Sequence, residues 1–370
     1  MKKTILLSAR DTAAAQIVCI LKPLFDKEKW CQTILIAGSP ADKIFISHKI
    51  DFISCPQWKH ETEALAYCEK IIQKFTPDAI LTGSSGPGFG VDEYLIFCAN
   101  VPSFTIQDFW GFLNPYSGQY ADTYFVLDKY AEKQTKSVLR HKKVLPIGSV
   151  KHSSIVTRDW VSIRTAKRRA IKLSSNLDLL IGFFDQPLKL DEGYKTLCSD
   201  FAASITQLEQ SFKLLLRFHP GTPRQTRNVV YDIFRRKGVE IILDNNESNV
   251  YETISACDIV VSSFSTCNLD NIYMNASSSA PLGVSVYLFY NEEIRNSFEK
   301  HHATKMLPSF SHNEAYVIYK KSEILQTIHK AINSRMQSWV AVKKLPSPLY
   351  APKKIIDVLK NQLQRGSEIG

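Results

Sequence analysis

Short apolar runs recur along the chain, separated by longer stretches in which apolar residues return every three or four positions. That alternation of strand and helix periods is the pattern of a parallel sheet covered by helices. In residues 1–150 the expected strands are Thr4–Ala9, Thr33–Ala37, Asp78–Thr82, Ser103–Ile106, Tyr124–Leu127 and Val144–Ile147. Thr12–Phe25 and Glu61–Phe75 read as amphipathic helices. In the second, Leu65, Cys68, Ile71, Ile72 and Phe75 share a face, and Pro77 stops the run. The rhythm breaks after Gly148. Residues 151–175 are basic, lack a buried-strand run, and read as a linker. A second alternation fills residues 176–345, with strands at Leu177–Phe184, Lys213–Phe218, Val239–Leu243, Asp258–Val261, Gly283–Phe289 and Tyr316–Tyr319. Helices are expected at Tyr194–Gln210, Gln225–Lys237, Asn249–Ala256 and Glu323–Met336. Residues 346–370 open on a proline-bearing stretch, Pro346, Pro348 and Pro352, and carry a last helix, Lys353 to about Leu363, free to pack back on the first domain. The expected fold class is α/β: two doubly wound Rossmann-like domains facing a central cleft. Ligands of such sheets bind beyond the carboxyl ends of the strands, so useful residues should sit just after strands.

Composition adds limits. With 370 residues, 44% hydrophobic and 22% charged, the chain exceeds one ordinary core and is not a disordered polymer. No apolar run approaches the ~18 residues of a membrane span. Met1-Lys2-Lys3 followed by an apolar run resembles a signal peptide, but Arg10 and Asp11 interrupt it, so a first strand and a cytoplasmic protein are expected. The eight cysteines are scattered without a Cys-x-x-Cys pair, which fits reduced, small apolar side chains and no metal site. The formal charge of +10 suits anionic partners. Much of it is concentrated in Arg158, Arg164, Lys167, Arg168, Arg169 and Lys172, either a solvated face or a patch for an anionic membrane surface. No RNA-binding fingerprint, zinc spacing or aromatic–basic interleaving supports a nucleic-acid partner.

Candidate chemistry lies at the strand ends. After the Asp258 strand, Ser262, Ser263, Ser265 and Thr266 place four hydroxyls in five positions, and an apolar helical run follows. Hydroxyls at a helix N-terminus, reinforced by the helix dipole, make a phosphate site. Capping by Ser265 or Thr266 is the plainer reading. Arg217 and His219, in Leu216-Arg217-Phe218-His219-Pro220-Gly221, could offset phosphate or leaving-group charge, or His219 could simply cap a turn. Arg224 and Arg227 nearby are further phosphate contacts or solvated helix residues. In the first half, Gly83, Ser84, Ser85, Gly86, Gly88 and Gly90 follow a strand, and the glycines permit close backbone approach to a ligand. The loop has neither the Lys-Ser/Thr of a P-loop nor dinucleotide-binding spacing. Asp108 is a candidate general base and Trp110 a candidate stacking platform, with core packing as the alternative for Trp110. Arg10 is a candidate binding group. Asp11 reads as a helix cap, and Asp92 and Glu93 as ordinary acids on the following helix.

These segments resemble nucleotide-sugar enzymes of the GT-B fold, glycosyltransferases and UDP-N-acetylglucosamine 2-epimerases of the polysaccharide-cluster type. The second half is similar in its Asp-led strand, its hydroxyl-rich turn and an acidic residue, Asp270, a few positions on. It is similar also in the Arg-x-His-Pro segment at Arg217–Pro220. The first half is similar in Asp108-Phe109-Trp110, Asp128-Lys129-Tyr130-Ala131 and Val144–Gly148. The resemblance implies a carboxyl domain that holds a nucleotide diphosphate on residues 262–266 and its ribose on Asp270, Glu being usual there. It implies an amino domain that presents the acceptor, with the glycine loop contacting acceptor or sugar. The implied activity is a glycosyltransferase in surface polysaccharide or glycoconjugate synthesis, acting on a carbohydrate or lipid-linked acceptor. No cofactor and no metal are expected, since fixed cations and backbone dipoles can stabilise a departing phosphate and no Asp-x-Asp pair is present. A hydrolysing 2-epimerase is the alternative activity, though the strand ends show more hydroxyls than carboxylates. A non-catalytic anion- or membrane-surface-binding protein is the alternative of another class.

Overall fold

The computed structural model describes residues 2–86, 88–114, 118–173, 179–186, 188, 192–245, 249–300, 302 and 306–365. Pro87 of the glycine loop, the end of the expected linker (174–175) and Leu177 lie outside the described residues. Two compact units divide the chain, residues 1–154, 299–304 and 346–370 forming the first and residues 155–298 and 305–345 the second.

The first unit runs β1 (Lys3–Ala9), α1 (Thr12–Phe25), β2 (Cys31–Ala37), α2 (Ala41–Ser47), β3 (Ile53–Ser54), α3 (Glu61–Phe75), β4 (Ala79–Gly83), α4 (Val91–Cys98), β5 (Ser103–Ile106), β6 (Thr123–Val126), α5 (Lys129–Val138) and β7 (Lys143–Pro146). All neighbouring strands are parallel, in the order β3-β2-β1-β4-β5-β6-β7. The pleat sends alternate residues of β1 to opposite faces. Ile5, Leu7 and Ala9 join a core built on α1, whereas Leu6 joins one built on α3 and α4. The two-residue strand β3 has too short an apolar run to be read from the sequence.

The second unit begins with α6 (Trp160–Ala170) and continues β8 (Leu179–Phe184), α7 (Glu192–Ile205), β9 (Phe212–Arg217), α8 (Arg224–Arg236), β10 (Ile241–Asp244), α9 (Val250–Ala256), β11 (Ile259–Ser262), α10 (Thr266–Ser277), β12 (Val284–Leu288), α11 (Glu292–Glu299), β13 (Tyr316–Ile318), α12 (Ile324–Asn333) and α13 (Arg335–Val342). Its parallel sheet has the order β10-β9-β8-β11-β12-β13. The single helix expected over Glu323–Met336 ends at Asn333, and α13 follows as a separate helix.

The linker expected over residues 151–175 is different in the structure. Trp160 of α6 is buried in the core of the second unit with Leu180, Leu215 and Val260. Two of the basic residues also point inward. Arg164 Nη1 donates to the carbonyls of Ser255 (2.7 Å) and Cys257 (2.8 Å), and its Nη2 to Asp258 Oδ1 (2.5 Å). Arg168 Nη1 donates to Ala256 O (2.8 Å) and Asp258 Oδ2 (3.1 Å), and Arg335 reaches Asp258 Oδ1 at 3.1 Å. The carbonyls belong to the C-terminal end of α9 and the residue after it, where cationic donors satisfy groups the helix leaves open. Part of the charge expected on a surface patch is therefore internal. The last helix, α14 (Ala351–Arg365), belongs to the first unit, where Ala351, Ile355 and Leu359 join the core beside α1.

Among the described residues no helix is long and apolar enough to cross a membrane. All eight cysteines are free, and burial pushes the Cys55 thiol up to about 12 and those of Cys68, Cys198 and Cys257 further.

Candidate functional site

In each sheet the strand order reverses once, between β1 and β4 in the first unit and between β8 and β11 in the second. Ligands of doubly wound sheets bind beyond the strand ends at such switch points.

At the second unit's switch point the hydroxyl-rich turn divides into two pairs. Ser262 is fully buried; its Oγ donates to Asn268 Oδ1 (2.8 Å) and accepts from the Ser265 N–H (3.0 Å), closing the turn. Ser265 caps α10, its Oγ accepting from the Cys267 N–H (3.2 Å). These two candidates act within the fold. The hydroxyls of Ser263 and Thr266 form no hydrogen bond among the described residues, and Thr266 opens the helix, so they are the groups left for an anion. Across the switch point, Gln186 after β8 accepts from the Phe264 N–H (2.7 Å) and pins the turn. Asp270 lies one turn into α10 and is 3% exposed. Burial, and next its carboxylate, push the Tyr287 hydroxyl far up.

Sequence reasoning overlooked Asp185, the residue before Gln186. It accepts from the Tyr194 hydroxyl, from Thr222 Oγ1 (2.5 Å) and from the His219 N–H (3.4 Å), joining the ends of β8 and β9. Burial raises its carboxyl above the usual range against those three donors. Its only signal was a polar pair directly after a buried strand. His219 Nδ1 accepts from the Gly221 N–H (3.0 Å), so the turn-capping reading holds. It also leaves Nε2 as the protonated nitrogen of the neutral ring. Desolvation of the ring lowers the His219 pKa, Asp185 opposes the shift and Arg227 adds to it. Arg227 stiffens the same turn, donating to Thr222 O (2.8 Å) and Pro220 O (2.9 Å). Arg217 has another duty than the one expected. Its Nη1 pairs with Asp244 Oδ2 (2.5 Å) and donates to Thr253 Oγ1 (3.1 Å), because the parallel register sets Asp244 directly beside it. Burial works against ionisation of Asp244, yet the bonds from Thr253 and Arg217 hold its carboxyl below the usual range.

At the first unit's switch point, Asp11 caps α1 through Ala14 N–H (3.1 Å) and ties down the glycine loop through Gly86 N–H (3.0 Å). Gly83 and Gly90 admit protein rather than ligand: a Cβ on Gly83 would overlap Ala14 of α1, and one on Gly90 would overlap the Arg10 side chain. Gly86 and Gly88 face open space, and Gly88 has φ +105°. Arg10 donates to Gly86 O and lines a pocket of about 270 Å³ with Ser39, Gln57, Trp58 and Phe89. Ser85 is fully buried and donates to Asp92; Ser84 is buried and lines a second, smaller cavity. Asp92 and Glu93 are not ordinary surface acids, being 1% and 6% exposed. Trp110 is 1% exposed, its Nε1 donates to Asp128 Oδ2 (2.9 Å), and its ring meets Phe109 edge-on, so it packs the core and offers no stacking face. Asp108 is buried in the same connection and lines neither pocket. Among the described residues no group of three or more His, Cys, Asp or Glu side chains is placed to hold a metal ion.

No protein-family model and no curated protein matches the chain. Solved structures do match along its whole length. The Staphylococcus aureus MnaA–UDP complex superposes with a TM-score of 0.66 at 13% identity, over 98% of this chain and 97% of that one. The UDP-GlcNAc 2-epimerase of Neisseria meningitidis bound to UDP-GlcNAc gives 0.64 at 12%, over 98% and 100%. A glycosyltransferase of Rickettsia africae gives 0.63 at 13%, over 97% and 98%. At such identities the likeness establishes the fold, the two-domain Rossmann-like α/β fold of GT-B nucleotide-sugar enzymes.

Proposed function

We propose that the chain is a nucleotide-sugar enzyme, and that it transfers a sugar from a nucleotide-sugar donor to a carbohydrate or lipid-linked acceptor. The observation that carries the reading is the pair Ser263 and Thr266, whose hydroxyls make no hydrogen bond among the described residues at the start of α10, on the switch point of the second sheet. A helix N-terminus there attracts a diphosphate, and the bound UDP and UDP-GlcNAc of the solved relatives support the same ligand class. His219, neutral and carrying its proton on Nε2, suits donation of a hydrogen bond to a developing phosphate charge. Asp270 remains the candidate for the ribose. We assign no role in catalysis to Asp108.

A second reading, hydrolytic 2-epimerisation, gains support from Asp92 and Glu93, a buried carboxyl pair that the strand-end inventory did not reveal. Two carboxyls with separated proton affinities are a common acid–base arrangement.

Thermal denaturation with UDP tests the donor site. At 100 times its dissociation constant UDP adds about 2.7 kcal/mol of stability. Ser263→Ala/Thr266→Ala should abolish that shift, and an undiminished shift in the double variant would refute the assignment. Incubation with UDP-GlcNAc without acceptor separates the two activities: rapid release of an epimerised free sugar would replace transfer by epimerisation.

A further inference from the structure

Asp92 and Glu93 occupy the first turn of α4 and differ sharply in how their oxygens are used. Asp92 Oδ1 accepts from Ser8 Oγ (2.5 Å), and its Oδ2 accepts from the Arg10 N–H (3.1 Å) and from Ser85 Oγ. Glu93 Oε1 accepts from Asn114 Nδ2 (2.7 Å). Its Oε2 is buried without a hydrogen-bond partner, the Arg10 guanidinium standing 3.8 Å away. The hydroxyl of Ser84, a residue 6% exposed, is likewise without a partner. Both residues line one cavity of about 20 Å³, together with Thr82, Thr105, Asn114 and Tyr124.

A cavity of that size admits one oxygen-sized group. Buried polar atoms without partners are unfavourable, so these two mark a place where an incoming group completes the bonding. Two carboxyls facing one guanidinium disfavour an anion. A cation would need ionised oxygens to spare, and both Asp92 oxygens are already bonded. A hydroxyl, which donates once and accepts, answers both open positions. We propose that Ser84 and Glu93 form a subsite for a single hydroxyl of a neutral carbohydrate, whose ring remains outside the cavity. The choice of a carbohydrate rests on the nucleotide-sugar reading; the hydroxyl chemistry does not.

In this arrangement Glu93 keeps its proton near neutrality and donates to the ligand oxygen, while the ligand hydroxyl donates to Ser84 Oγ. Burial and then the Asp92 charge raise the Glu93 carboxyl to about 8, opposed by Arg10 and by the bond from Asn114. Asp11, Tyr124 and the thiols of Cys55 and Cys68 are further titratable groups close to the pair.

Saturation-transfer NMR on the full chain, with glucose and N-acetylglucosamine as separate probes, tests the subsite. Glu93→Ala and Ser84→Ala should weaken sugar binding about tenfold, whereas Glu93→Gln, whose amide also donates, should stay within about threefold of the wild type. Near pH 9 the wild type should lose affinity and Glu93→Gln should not. Equal binding in wild type and Glu93→Ala, or no transfer to either sugar in the wild type, would overturn the proposal. If Glu93→Ala fails to fold, Ser84→Ala, which removes one oxygen, carries the test. The UDP thermal shift is measured alongside. Its absence with sugar binding still dependent on Glu93 would remove the donor site alone, and its presence without sugar binding would remove the subsite alone.

Discussion

Ser262, Ser263, Ser265 and Thr266 are chemically near-equivalent, yet backbone geometry gives them different work. Ser262 and Ser265 are bound by the turn and the cap, and of the four only Ser263 and Thr266 remain for a ligand. The hydroxyl run made the place legible; the partition required knowing which N–H each oxygen reaches. Asp92 and Glu93 show the opposite case, since acids in a first helical turn are commonplace and nothing local signals that these two are buried. Their burial has a pH consequence. The folded-state pKa of Glu93 is raised to about 8 from the ordinary 4.5, so the folded protein binds this proton more tightly than the unfolded chain. Stability from this group is full below the unfolded value and is lost as pH rises towards 8, with a slope of at most about 1.4 kcal/mol per pH unit. Urea denaturation across that range should show the decline in the wild type and a flatter profile in Glu93→Gln. Equal slopes would show that the charge of Glu93 is not what the fold opposes.

Helix α6 illustrates what an element's composition conceals. Its arginines read as surface charge or linker because a sequence lists side chains without the partners they meet. Packing of Trp160 turns Arg164 and Arg168 towards Asp258, which also accepts from the Leu180 N–H (2.9 Å) at the start of β8. The Asp before β11, part of the resemblance, thus anchors α6 and α13 to the sheet. Asp258→Ala would leave buried guanidinium charge without its counter-ion and should cost about 3–5 kcal/mol in chemical denaturation. A loss under about 1 kcal/mol would mean that the α9 carbonyls alone satisfy the arginines. The glycine loop follows similar logic. Its small residues were legible, but only packing shows that Gly83 accommodates Ala14 and Gly90 accommodates Arg10.

On the scale of the whole chain, the last helix belongs to the unit that the chain builds first. Ala351, Ile355 and Leu359 are fully buried in the core beside α1. Deleting residues 346–370 should lower stability by more than about 3 kcal/mol, read as a fall in Tm or as loss of soluble protein, because four large aliphatic side chains, Ile355, Ile356, Leu359 and Leu363, leave that core. An unchanged Tm would show that α14 contributes little. The two alternations of strand and helix, their parallel sheets and most strand positions were determined by the sequence itself. Hydrophobic period depends on a residue's near neighbours, and those are written in order along the chain. The tertiary structure alone decided that Arg164 and Arg168 face inward, that Arg217 is held by Asp244, that Trp110 is core, that Asp185 ties the end of β8 to that of β9, and that Glu93 is buried against Asn114. Each of these depends on solvent exclusion and on a partner many residues away, 94 positions for Arg164 and Asp258, so no local pattern carries it.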